Sequence, residues 1–289
     1  MTTKKLIVLS FLISLPITLV GQSFKGTVID AVNAKPLPYA SIGVKAKSIG
    51  GIADADGRFH IDINKAAPTD TIIVSYLGYA SVKFIKREIS QSAHQIKLSP
   101  GALQLHEVIA QGKREIIPIG NQKASGQYTG WGDYISSRGR LRGVAIETNE
   151  LPLKLARFKM HLDACEFDSV RFRLHILPLA KGYSGNLKAE LIDENIFFNV
   201  NKGQKWVSVD LAPYNLVIDE NIVVAVEWLD AWVKKEARDE SYKLTISLSR
   251  KEGYMFIRNT PEEPFLPTKS KFSPTMYFET YKPGNEGVE

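Results

Sequence analysis

The sequence predicts an all-β protein built of two successive sandwiches. Three observations carry that prediction. Apolar and polar residues alternate along most of the chain after residue 22, the period of strands and not of helices. The alternating segments are short and are separated by Gly, Asn, Asp and Pro. The chain has 289 residues, 44% of them hydrophobic and 24% charged, enough to bury two cores.

Residues 1–22 differ from the rest. Lys4 and Lys5 precede an apolar run from Leu6 to Val20, and the small or polar Gly21, Gln22 and Ser23 come next. That layout is a secretory signal peptide, with cleavage expected near Gly21 or Gln22. The run is shorter than the ~20 residues that span a bilayer, and no later segment reaches that length, so no transmembrane span is expected in the mature chain. The expected location is the periplasm, the outer membrane or the outside of the cell. Removing Lys4 and Lys5 lowers the formal charge of +6 by two, and the other basic residues are scattered. Such a pattern gives no nucleic-acid footprint. The single cysteine, Cys165, excludes an internal disulfide and is too far from the leader to carry a lipid. Its apolar surroundings in "FKMHLDACEF" predict a buried, inert thiol.

The first sandwich is expected over residues 23–100. "SFKGTVID" alternates Phe24, Gly26 and Val28 against Lys25, Thr27 and Ile29, and "YASIGVKA" places Ala40, Ile42 and Val44 on one face. "AVNAKPLP" between them is a loop. After Asp54-Ala55-Asp56-Gly57 the chain alternates again, so Phe59, Ile61 and Ile63 point inward and His60 points to solvent. "DTIIVSYLGY", "SVKFIKRE" and "HQIKLSP" complete six or seven strands.

Asp54, Asp56 and Gly57 also suggest a calcium loop. With Gly57 at position 6 of an EF-hand, however, Ile52 and Ile63 fall at positions 1 and 12, where acidic ligands are required. A hairpin turn is the better reading: Asp54 accepts from backbone N–H groups ahead of it, and Gly57 takes the left-handed conformation. No metal and no cofactor are therefore expected.

Four spaced blocks carry a family resemblance. Gly26-x-Val28-x-Asp30, Pro36-Leu37-x-x-Ala40-x-Ile42, Gly51-x-x-Asp54-x-x-Gly57-x-Phe59-x-Ile61 and Asp70-x-Ile72-x-Val74-Ser75-Tyr76-x-Gly78-Tyr79 together resemble the carboxypeptidase regulatory-like domain. The resemblance implies a transthyretin-like sandwich, common at the N-termini of exported proteins of Gram-negative bacteria, with no catalytic residues of its own. The family often has threonines where this chain has Ile52 and Ala53.

Residues 101–125 read as a linker with one strand. "ALQLHEVIAQGKRE" resembles the segment after this domain in TonB-dependent outer-membrane receptors, yet the remainder of the chain is too short for a barrel of ~22 strands. Residues 126–282 read as a second, jelly-roll-like sandwich, similar to bacterial surface domains in pattern only, with a tail over 283–289. Its strand candidates include "LRGVAIET", "LARFKMHLDA", "DSVRFRLHILPL", "NLKAELID", "KWVSVDL", "ENIVVAVEWL", "YKLTISLS", "GYMFIRN" and "TMYFETY". "WLDAWVKKEARDE" reads as a charged loop, and residues 259–274, with four prolines, as irregular surface chain.

Catalytic motifs are missing from this sequence. None of the five histidines begins an H-E-x-x-H or H-x-x-E arrangement, "GYSG" lacks the nucleophile-elbow spacing, and "GWGDYI" is no phosphate loop. His161, Asp163 and His175 meet only if their strands are neighbours in register; exposed strand positions are the expectation. Glu190, Asp193, Glu194, Glu227 and Asp230 offer carboxylates without a defined separation. The aromatics carry the stronger hint. Trp131 and Tyr134 lie in the glycine-rich "GQYTGWGDY" and Trp232 lies beside the charged loop, so these three are the candidate ligand-binding residues. Trp206 and Trp228 sit in apolar strands and are expected to pack between sheets. The implied function is that of a non-catalytic binding or scaffolding protein of the bacterial envelope, its partner a glycan, a peptide or another envelope protein. The alternative is a hydrolase of glycan or peptide acting from the second sandwich.

Overall fold

A computed structural model describes residues 22–90, 92–101, 115–131, 137–179, 190–192, 194–233 and 242–283. The signal-peptide segment, most of the "ALQLHEVIAQGKRE" segment, most of "NLKAELID" and all but the first residue of the tail lie outside them. The described residues are all-β, 55% in strands and 3% helical.

The first sandwich uses β1 (Ser23–Asp30), β2 (Ser41–Val44), β3 (Gly50–Ile52), β4 (Arg58–Asp62), β5 (Thr71–Ser75), β6 (Val82–Ile85) and β7 (His94–Leu98). A three-stranded sheet of order β4-β1-β7 faces a four-stranded sheet of order β3-β2-β5-β6. β1 and β7 run parallel, and Gly26 lets them approach: a Cβ there would stand 2.0 Å from the His94 carbonyl oxygen. Phe24, Val28, Ile42, Val44, Phe59, Ile61 and Ile63 form the core with Ile72 and Val74, as the alternation requires.

Two of the family blocks are joined by a side-chain bond. Asp30 Oδ1 accepts from the Val32 N–H at 2.7 Å, and Tyr79 Oη donates to Asp30 Oδ2 at 2.9 Å. Those hydrogen bonds, led by the Val32 N–H, hold the Asp30 carboxyl below its usual range.

Asp54 does cap a tight turn. Its Oδ1 accepts from the N–H groups of Asp56 (2.9 Å) and Arg58 (2.8 Å), and Gly57 has φ +72°. The turn is not a hairpin, however. β3 pairs with β2 and β4 with β1, so the turn carries the chain from one sheet to the other across the top of the core.

The second sandwich uses β8 (Ile117–Gly120), β9 (Gln127–Gly130), β10 (Leu141–Ile146), β11 (Leu153–Cys165), β12 (Ser169–Pro178), β13 (Ile196–Asn201), β14 (Trp206–Asp210), β15 (Val217–Ile218), β16 (Ile222–Trp232), β17 (Leu244–Ser249), β18 (Gly253–Arg258), β19 (Leu266–Ser270), β20 (Ser273–Pro274) and β21 (Met276–Tyr281). One sheet has six strands, β13-β12-β16-β10-β18-β19. The other has eight: β20-β17-β11-β21-β8, with β14 and β15 on β11 and β9 on β17. The chain crosses between the sheets repeatedly, as from β9 through β10 and β11 to β12 and from β15 through β16 and β17 to β18, the jelly-roll habit. The core between them holds Phe158, Met160, Val170, Phe172, Leu174, Ile176, Trp228 and Phe278.

Three expectations change here. The linker's strand, β8, pairs with β21 and so belongs to the second sandwich. β16 continues through "WLDAW" to Trp232, because a bulge at Leu229 restores its register with β12; residues 234–241 of the charged stretch lie outside the described residues. The proline-rich 259–274 segment contains β19 and β20, with Pro267 tolerated because β19 is an edge strand.

The two sandwiches touch through the outer face of the six-stranded sheet. Leu229, pushed outward by the bulge, packs with Tyr39 and Ile52 of the first sandwich and with Phe197. Arg173 Nη2 donates to the Tyr39 carbonyl at 2.6 Å, Arg138 Nη2 to the Ala53 carbonyl at 3.3 Å, and Ser48 Oγ to Glu263 at 2.8 Å.

Candidate binding face

Along β11, Phe158, Met160 and Leu162 turn into the core, which leaves Arg157, Lys159, His161 and Asp163 on the outer face of the eight-stranded sheet. β14 pairs with β11 so that Trp206 stands directly opposite His161. Its own neighbours Val207 and Val209 are buried, while Trp206, Ser208 and Asp210 face outward. The indole is 45% exposed. It is not free to wander: the His161 ring lies edge-on at 4.7 Å and Tyr277 of β21 at 5.9 Å.

Behind this aromatic group the polar row continues onto β17. His161 Nδ1 and Ser247 Oγ are 2.8 Å apart, and Thr245 Oγ1 donates to Asp163 Oδ2 at 3.2 Å. Burial, assisted by Lys205 and opposed by Asp163, lowers the pKa of His161, so the ring is neutral at pH 7 and can accept or donate. Tyr128 on β9 is opposite Ser247 and is 60% exposed. Trp206, His161, Ser247 and Tyr128 thus form one row across four strands.

The three candidates named from sequence fare differently. Trp131 is 1% exposed, packed against Phe172 and Trp228 in the core, and offers no face to a ligand. Glycine-rich surroundings made it read as loop, but the ring fills the space between residues of β12 and β16. Tyr134 lies outside the described residues. Trp232 is 43% exposed and lies under Arg171, whose guanidinium carbon is 5.6 Å from the ring. It sits at the end of β16 in the six-stranded sheet, so Trp131 and Trp232 share no surface. Trp228 packs in the core, whereas Trp206 does not. The residue that sequence reading passed over was marked by its parity in "KWVSVDL", which it shares with Ser208 and Asp210.

His161, Asp163 and His175 do not meet, because β11 and β12 belong to different sheets. His175 and Arg173 are also not exposed. His175 lies between Glu190 (Nδ1 to Oε1, 2.5 Å) and Glu227 (Nε2 to Oε2, 3.0 Å). Glu227 is approached by Arg173 at 3.6 Å and by Arg258 at 3.8 Å. Burial alone pushes His175 down, but the two carboxylates outweigh it and its pKa is raised. Burial likewise pushes Glu227 up, and Arg173, His175 and Arg258 reverse it, so its carboxyl is held well below the usual range. Carboxylates facing both ring nitrogens favour the doubly protonated, charged imidazole over the neutral one, the direction in which its pKa moves.

Cys165 is buried; its Sγ donates to the Phe167 carbonyl at 3.7 Å, and burial pushes the thiol up to about 11. Among the described residues no group of three His, Cys, Asp or Glu side chains is arranged to hold a metal ion. No helix among them is long and apolar enough to cross a membrane.

The fold and face define a tandem β-sandwich protein whose first unit is a recognised domain. Residues 24–110 match the family model of the CarboxypepD_reg-like domain, and the first sandwich is a domain of that family. No curated protein matches the chain. Among solved structures, the cysteine protease and lectin-like domains of Cwp84, a surface-layer-associated protein of Clostridium difficile, are 13% identical with a TM-score of 0.36, covering 50% of this chain and 33% of that one. Cwp84 after propeptide cleavage is 10% identical with a TM-score of 0.33, covering 81% and 52%. A Bacteroides uniformis protein described as carbohydrate-binding is 10% identical with a TM-score of 0.24, covering 90% and 98%. The chain thus spans a third and about half of the first two.

Proposed function

We propose that the protein is a non-catalytic carbohydrate-binding module of the bacterial envelope, with its ligand laid on the outer face of the eight-stranded sheet. One observation carries this reading. Trp206 is a rigidly flanked indole that leaves nearly half its surface open on an outward strand position, where a soluble sandwich ordinarily places polar residues. Such a ring binds the apolar face of a sugar through stacked area, while His161 and the exposed Tyr128 supply polar groups around it and the buried Ser247 hydroxyl holds the His161 ring. Delivery to the envelope rests on the N-terminal leader pattern of Lys4, Lys5 and Leu6 to Val20.

The hydrolase alternative requires a histidine–acid set open to substrate. His175, Glu190 and Glu227 have the right chemistry, but Glu227 is wholly buried and held ionised by two arginines. Neither it nor the doubly bonded histidine is placed to exchange a proton with a substrate.

The test is a glycan array of the chain lacking residues 1–22, followed by calorimetric titration of the best ligand. Trp206→Ala is expected to weaken that binding about ten-fold or more, in line with the ~1–3 kcal/mol that a stacked aromatic contributes. Full affinity in that variant would sink the proposal.

A further inference from the structure

Next to the aromatic row lies a cleft of 620 Å³, lined by Gly120 to Ser125 and by Ser249, Arg250 and Lys251. It is built by the crossing from β8 to β9, which is held down at both ends. Asn121 N–H donates to the Met276 carbonyl at 2.8 Å and Asn121 Nδ2 to the Pro274 carbonyl at 3.1 Å. At the far end Ser125 donates twice to the Leu248 carbonyl, from its N–H at 2.8 Å and its Oγ at 2.7 Å, and Ser249 Oγ donates to the Lys123 carbonyl at 2.5 Å. The backbone of the cleft is therefore fixed, while its charged side chains are exposed.

Three of the lining residues are cationic, Lys123, Arg250 and Lys251, and none is acidic. No ion pair among the described residues involves any of the three. The nearest acid in sequence, Glu252, is already paired with Lys269 at 2.7 Å. Three cations without an ion-pair partner among the described residues, carried by two neighbouring connections around one cleft, repel one another and favour an anion between them.

Position gives this charge a meaning. Ser249 lies on β17 one pleat repeat beyond Ser247, on the same outward parity, and Ser247 is the residue that bonds His161. Two strand spacings and one pleat repeat separate the backbone at Trp206 from that at Ser249, about 12 Å. Tyr128 stands on the strand that leaves the cleft at Ser125. A chain of sugar rings stacked on Trp206 and running past Tyr128 brings its next substituents over Lys123, Arg250 and Lys251.

We propose that the saccharide bound at this face is acidic, a polyuronate-type chain whose ring stacks on Trp206 while its carboxylates pair with Lys123, Arg250 and Lys251. The assignment rests on the carbohydrate-binding reading of Trp206, and charge complementarity selects the class of sugar. Lys and Arg at an exposed, mixed-donor site bind carboxylate mainly as charges, so the preference is sensitive to salt.

The test is titration of the chain lacking residues 1–22 with oligogalacturonate, with its neutral methyl ester and with polyglutamate, at low and high salt. Oligogalacturonate is expected to bind about ten-fold tighter than the ester, three exposed ion pairs adding to one common stacking contact. High salt and the triple variant Lys123→Ser, Arg250→Ser, Lys251→Ser should each remove that preference and leave ester binding unchanged. Equal affinity for acid and ester overturns the proposal but leaves the carbohydrate reading standing; binding of neither overturns the proposal too, and the carbohydrate reading then falls only if the glycan array is also empty. If polyglutamate binds as tightly as oligogalacturonate and Trp206→Ala changes nothing, the cleft takes an acidic peptide and the proposal is wrong. Unchanged thermal unfolding of the triple variant is the control, since all three side chains are exposed.

Discussion

Two tryptophans in the second sandwich show how much one position in a strand decides. Trp228 is on the inward parity of β16 and is enclosed by Phe167, Phe172 and Trp131. Trp206 is on the outward parity of β14, among serine and aspartate. Trp228→Ala should therefore destabilise the protein by about 3–5 kcal/mol in urea unfolding, because the cavity it leaves cannot collapse between two sheets. Trp206→Ala should shift the same curve by about 0.5 kcal/mol or less. Equal losses would mean that Trp206 is a structural side chain and not a ligand platform. Parity made the difference legible in "KWVSVDL", where the valines set the inward face. No such signal existed for Trp131, which lies outside a strand; its burial depends on two β-strands far away in the sequence.

Strands were legible where one face meets the core and the other meets water. β1, β2, β4 and β5 alternate for that reason, and their inward residues form the core. β13 breaks the rule: Phe197 and Phe198 are consecutive and apolar because both faces are covered, one by Tyr39 and Arg173, the other by Phe158 and Phe172. β19 was hidden by Pro267, which only an edge strand accepts. The turn at Asp54 to Gly57 was legible as a turn, but its destination was not, since residue types at a turn say nothing about which sheet receives the next strand. Its geometry is testable. A Cβ on Gly57 would lie 2.7 Å from the Val28 carbonyl oxygen, at a φ that side chains resist. Gly57→Ala should destabilise the first sandwich by about 2 kcal/mol, strain and crowding acting together. A neutral effect in urea unfolding would show that the β3–β4 corner can relax, contrary to the close packing on Val28 and Pro36.

At the scale of the whole molecule, the departure of Ile52 from the family's threonine gains a reason: it packs on Leu229 and Tyr39 between the sandwiches. The same contact encloses Arg173, which donates to the Tyr39 carbonyl, and His175, read as exposed, is buried two residues further along β12. Enclosure makes the charge set there a link between folding and pH. His175, with its raised pKa, contributes stability fully below its ordinary value of 6.5 and loses it as pH rises through the raised value. In that window the native state holds a proton the unfolded chain has released, so stability falls by up to about 1.4 kcal/mol per pH unit. Glu227 acts in the opposite direction: its contribution is present above 4.5 and lost only as pH falls through its lowered value. The urea midpoint should accordingly be highest between 4.5 and 6.5 and decline on the alkaline side. Replacing the histidine tests the assignment. His175→Gln should unfold at lower urea at pH 6, because Arg173 and Glu227 remain buried, and Glu190 and Arg258 partly so, without it, and it should lose the alkaline decline. A wild-type midpoint flat from pH 6 to about 9 would show that His175 carries no extra proton in the folded state, and that the two carboxylates do not hold it charged.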